Sequence, residues 1–137
     1  MPWYGFIHPI LAVFTAVYGI IITRTSISKL PGRDFPIRRQ RFRSAAFFLL
    51  CVANMTLGFV VRTVLRGQSQ DVKLIFHVPL AIGAVAFALL AVLVTLSRTK
   101  RPGRIPDVVG LHPWLLVVSI VLIMTMGFIG ISSALGI

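Results

Sequence analysis

Three histidines are the residues of this 137-residue chain whose chemistry best suits a site inside a membrane. Each is followed closely by a proline, as His8-Pro9, His77-Val78-Pro79 and His112-Pro113. Proline is tolerated in the first turn of a helix, so each histidine is predicted near the start of its helix. Imidazole is a common metal ligand and an axial ligand of haem iron. The three histidines are therefore the first candidates for a cofactor site.

The composition predicts that these histidines belong to an integral membrane protein. Hydrophobic residues make up 57% of the chain, charged residues only 12%, and the mean hydropathy is +0.94. A chain of this size could not bury so much apolar side chain in water, so lipid must solvate the excess. Its acidic residues, Asp34, Asp71 and Asp107, all lie outside the apolar stretches. A hydrolase or proton-coupled transporter usually keeps a carboxylate within the membrane, so this distribution argues against both.

Four apolar stretches predict four transmembrane helices. A bilayer core of about 30 Å requires about 20 apolar residues in a helix. We predict helices at about residues 3–23, 45–65, 74–96 and 111–133. The apolar residues run consecutively, without the alternation of a membrane β-barrel. Short connections then predict an all-α, up-down bundle in one transmembrane domain spanning residues 1–137.

The basic residues predict how this bundle is oriented. Eleven of the 14 Lys and Arg residues lie in segments 24–43 and 97–107, and the other three lie in segment 62–73. The positive-inside rule then places segments 24–43 and 97–107 in the cytoplasm and both termini outside, in a bacterial inner membrane. Anionic lipid headgroups account for the excess of basic charge. The charge therefore does not indicate a nucleic-acid partner.

This orientation places two of the histidines at the same depth. His8 and His77 are predicted on the outer side, and His112 on the cytoplasmic side. Two histidines at similar depth on two helices can hold one haem b, so His8 and His77 are the predicted metal ligands. His112 and Asn54 complete the predicted cofactor-binding residues. Asn54, an amide within the second apolar stretch, should face the bundle and bind another helix or a cofactor.

Several interpretations remain open from the residues alone. The histidines could cap helix ends without a cofactor, or bind copper, a quinone or a chlorophyll-type pigment. The chain lacks a phosphate-binding glycine loop and a CxxCH haem-attachment motif, so activity of its own is not expected. The first hypothesis is a haem-binding electron-transfer subunit. The alternative is a structural or assembly subunit of a respiratory or photosynthetic complex, and both predict membrane partner subunits of a redox complex.

Two resemblances to known families bear on these hypotheses. The segment Ile7-His8-Pro9-Ile10-Leu11 is similar to the four-helix core of di-haem cytochromes b of the ascorbate-reducing type, which use two histidine pairs. The second half, with Phe76-His77-Val78-Pro79 and Leu111-His112-Pro113-Trp114, resembles small bacterial membrane proteins linked to cytochrome oxidase assembly. These resemblances imply haem-linked electron transfer or oxidase maturation. The second predicted helix has no histidine, so the full di-haem pattern is not met.

Overall fold

Four long helices account for most of the chain. The computed structural model describes residues 7–28, 36–65, 72–96 and 107–135. The helices are α1 (Ile7–Ile27), α2 (Ile37–Leu65), α3 (Val72–Val94) and α4 (His112–Leu135), and a short 3₁₀ turn (Asp107–Leu111) leads into α4. The described residues contain no β-strand. Each helix is long and apolar enough to cross a membrane, where a helix satisfies its own backbone hydrogen bonds.

The helices form a four-membered ring. Each packs against the next in sequence, and α4 closes the ring against α1. Helix α1 therefore lies diagonally opposite α3, and α2 lies diagonally opposite α4. The starts of α1 and α3 meet at one end, which we call the His8 end, and the start of α4 lies at the other, the His112 end. The predicted all-α, up-down bundle of four transmembrane helices is confirmed.

Helices α1 and α2 extend beyond their predicted bounds at the His112 end. Helix α1 continues to Ile27 and α2 begins at Ile37, so both enter the segment 24–43 that we predicted as a loop. Long arginine side chains can carry their charge to water while the backbone stays helical, so the end of an apolar stretch does not mark the end of a helix. Predictions on residues 3–6, 29–35 and 97–106 lie outside the described residues. The cytoplasmic location of the basic segments remains a prediction.

The three prolines that follow the histidines lie at two kinds of position in their helices. Pro9 and Pro113 lie in the first turns of α1 and α4, as predicted. Pro79 instead lies inside α3, because that helix begins at Val72, so His77 lies within the helix rather than before it. Membrane helices tolerate an internal proline when neighbouring groups satisfy the freed carbonyl. The helix consequently carries His77 into the apolar part of the bundle.

A tightly packed layer in the middle of the bundle separates the two ends. Phe47 of α2 is completely buried, and Ile120 of α4 is nearly so. A Cβ atom added at Gly19 of α1 would lie 2.7 Å from Phe47 Cε2 and 2.8 Å from Ile120 Cγ1. Three helices therefore meet in this layer at a distance that only glycine allows. Large apolar side chains such as Val13 and Phe14 instead face outward, where lipid solvates them.

Candidate functional site

The bundle brings His8 and His77 together across the diagonal between α1 and α3. Their ring centroids lie 6.3 Å apart, and the ring planes make an angle of 60°. Both side chains are half-buried between the helices. The structure thus places side by side the two histidines that the sequence placed at one depth.

Helix α2 positions His8 although it contributes no histidine. A Cβ atom at Gly58 would lie 2.9 Å from His8 Cε1 and 3.2 Å from His8 Nε2. The imidazole therefore packs directly against the backbone of α2, where glycine has no side chain. Asn54, one turn earlier in α2, is buried and lies close enough to His8 to interact with it. Neither Nδ1 of His8 nor Oδ1 of Asn54 has a hydrogen-bond partner within the described residues. Asn54 therefore faces the bundle, as predicted, beside the paired histidines.

Small residues lie one turn away from the paired histidines on the same helices. One turn towards the middle of the bundle from His8 and His77 lie Ala12 and Ala81, and both are half-buried. These two positions next to the histidine pair are therefore not occupied by large side chains.

The paired histidines fit the axial ligands of one haem. A histidine–metal bond is about 2 Å long and the ring centroid lies about 1 Å beyond the nitrogen, so two imidazoles on one iron have centroids roughly 6 Å apart. The observed separation is 6.3 Å. Each ring can rotate about its bond to iron, so an angle of 60° between the planes is compatible with this arrangement.

A zinc ion fits this site less well than haem does. Within the described residues, no group of three or more His, Cys, Asp or Glu side chains could hold a metal ion. Structural and catalytic zinc sites need three or four protein ligands. A porphyrin supplies four nitrogens of its own, so haem iron needs only the two axial ligands that this pair offers.

The third predicted histidine lies at the opposite end of the bundle. His112 is completely buried between two serines that are also completely buried. Ser26 Oγ of α1 lies 3.2 Å from His112 Nδ1, and Ser44 Oγ of α2 lies 2.7 Å from His112 Nε2. We call these three residues the Ser–His–Ser cluster. The structure thus does not bring His112 to the histidine pair.

Three residues that contact the histidines have no distinguishing signal in the sequence: Ser26, Ser44 and Gly58. Ser26 fell in the predicted loop and Ser44 at the edge of an apolar stretch, where a serine is unremarkable. Gly58 is one of eleven glycines, and no local pattern sets it apart. These residues acquire their roles only when the helices pack, because each contacts a histidine on another helix.

Four membrane-length helices with paired imidazoles across one diagonal define a cytochrome b-like membrane protein. Residues 42–135 match the model of a family described as eukaryotic cytochrome b561. Because this match covers more than half of the chain, the protein belongs to the cytochrome b561 family, whose members bind haem b. No curated protein and no solved structure matched the chain in the other two comparisons.

The family match bears on both resemblances drawn from the sequence. It supports a cytochrome b-like four-helix protein, and it runs from residue 42 within α2 to the end of α4, so it includes His77 but not His8. The link to cytochrome oxidase assembly and the bacterial inner membrane receive no support from it and remain predictions.

Proposed function

We propose that this protein is a membrane electron-transfer protein that holds one haem b between His8 of α1 and His77 of α3. The observation that carries this proposal is the 6.3 Å separation of the two ring centroids across the bundle. Membership of a haem b-binding family supports it independently. When bound, the haem supplies an iron that is oxidised and reduced by one electron.

The proposed pair of histidine ligands suits electron transfer better than it suits binding of oxygen or a substrate to the iron. His8 and His77 would together hold the haem iron, which would leave no open position on it for oxygen or substrate. The backbone at Gly58 lies against the His8 ring and Asn54 lies beside it, so both would limit movement of this imidazole if it bound a haem. A chlorophyll-type pigment needs one imidazole and a quinone needs none, so the paired imidazoles favour haem over both.

The absorption spectrum of the purified protein tests this function. The protein should be produced with a haem precursor in the medium, so that haem supply does not limit binding. Reduction with dithionite should give the sharp α-band of a low-spin haem b, and a pyridine haemochrome assay should identify the porphyrin. A protein that is helical by circular dichroism but colourless under these conditions would overturn the proposal.

We expect Asn54 to tune the haem through His8. A ligating histidine normally donates its second ring N–H to a carbonyl or carboxylate, and Asn54 Oδ1 is a buried acceptor beside His8. In Asn54→Leu this acceptor is lost, so the imidazole donates less charge to the iron and the oxidised state is less stable. The midpoint potential should rise, and haem affinity should fall by roughly 10- to 100-fold.

The neighbouring substitution Met55→Leu provides a control for Asn54→Leu. Met55 is partly exposed on the same helix, and leucine preserves its size and polarity. A redox titration and a haem-transfer assay to apomyoglobin measure the two effects. Equal potentials and equal haem retention in both variants would show that Asn54 does not act through His8.

A further inference from the structure

We infer that this protein carries electrons at one side of the membrane only, because the Ser–His–Ser cluster closes the His112 end to a second haem. This inference rests on the proposed function, since it assigns the one haem to the His8 end. The residue in question is His112, the third histidine of the chain, which we predicted from the sequence as a cofactor-binding residue.

Both imidazole nitrogens of His112 are already engaged. Ser44 Oγ donates its hydrogen to the carbonyl oxygen of Gln40 at 2.8 Å, so it accepts the Nε2–H of His112 at 2.7 Å. Nδ1 of His112 then accepts the hydroxyl hydrogen of Ser26. Binding iron through either nitrogen would break one of these buried hydrogen bonds, which costs free energy in an apolar interior.

The interior next to the cluster is filled with large side chains. One turn towards the middle of the bundle from Ser26, Ser44 and His112 lie three apolar residues, each no more than 1% exposed: Ile22, Phe47 and Leu116. The corresponding residues next to His8 and His77 are alanines. A porphyrin at the His112 end would have to displace a close-packed layer, which protein interiors resist.

The distance between the two ends makes the absence of a second haem important for function. About five helical turns separate His8 from Ser26 in α1, which is a rise of about 27 Å. A hydrocarbon core is about 30 Å thick, so the two sites lie near opposite membrane surfaces. The rate of electron tunnelling falls exponentially with distance, and without a second haem held by His112 an electron would have to cross this distance in one step. The electron donor and the acceptor must therefore both approach the His8 end.

Counting haem in the wild-type protein tests the stoichiometry. A pyridine haemochrome assay divided by protein mass should give about one haem per chain, and a redox titration should fit a single one-electron step. His112→Ala and Ser44→Ala should keep the wild-type α-band and haem content. Two haems per chain, or loss of the α-band in His112→Ala while Ser44→Ala keeps it, would overturn the inference.

Liposomes test the direction of electron flow without any substitution. Holoprotein is reconstituted in vesicles that contain ferricyanide, and ascorbate is added outside. We expect ferricyanide to be reduced no faster than in protein-free vesicles. A rate that rises with the amount of holoprotein would overturn one-sided transfer while leaving the haem proposal intact. A colourless protein would instead overturn the proposed function, and this inference with it.

Discussion

Replacing His8 or His77 with alanine should remove the haem. In the proposed site each imidazole would supply one of the two bonds from the protein to the haem iron, and the ring centroids lie 6.3 Å apart from opposite corners of the bundle. The chain has no CxxCH motif to attach a porphyrin covalently, so these bonds and packing must retain it. Loss of an outer-shell partner typically lowers affinity by about 10- to 100-fold, so loss of a ligand itself should lower haem content by at least about 10-fold.

Neighbouring apolar residues provide matched controls for this experiment. Ile10→Ala and Val78→Ala remove exposed side chains from the same turns of α1 and α3. Both controls should keep the wild-type haem content after purification. If His8→Ala or His77→Ala also kept a full low-spin spectrum, the assignment of that histidine as a ligand would be wrong.

Adding one methyl group at Gly19 should destabilise the bundle. The new Cβ would lie 2.7 Å from Phe47 Cε2 and 2.8 Å from Ile120 Cγ1, both nearer than van der Waals contact. Phe47 is completely buried and cannot move aside without disturbing the central layer. Overpacking of this kind costs about 1–3 kcal/mol, which Gly19→Ala should show as a lower unfolding midpoint in detergent.

Gly83→Ala is the matched control for this overpacking. Its new Cβ would meet one methyl group, Cδ1 of Leu122, at 3.2 Å, and a leucine methyl can shift by a few tenths of an ångström. Alanine also favours the helix over glycine by about 1 kcal/mol. Gly83→Ala should therefore be close to the wild type in stability. Equal destabilisation of both variants would show that the close contacts of Gly19 with Phe47 and Ile120 are not the cause of the lower stability.

The sequence was sufficient to predict the fold because the membrane leaves few choices. Uncharged stretches of about 20 residues can satisfy their backbone in lipid only as helices or closed barrels. Four such stretches with short connections therefore specified the bundle. Helix ends were harder to predict, because Ile27 and Ile37 lie among arginines whose side chains can reach water from a continuing helix.

The candidate site was only partly predictable for a different reason. His8 and His77 could be paired because their depth follows from their positions along the helices. Gly58, Ser26 and Ser44 could not be found, because their importance depends on helix rotation and on contacts across the bundle. An apolar membrane segment carries little information about rotation, since lipid and protein interior are equally apolar.

Chemical rescue with imidazole tests most directly whether His8 and His77 hold the haem. His8→Gly and His77→Gly each leave a space where the imidazole side chain was. Both variants should lack the low-spin haem b spectrum in buffer and should recover it when free imidazole is added. A variant that shows the complete wild-type spectrum without imidazole would contradict the paired-histidine site.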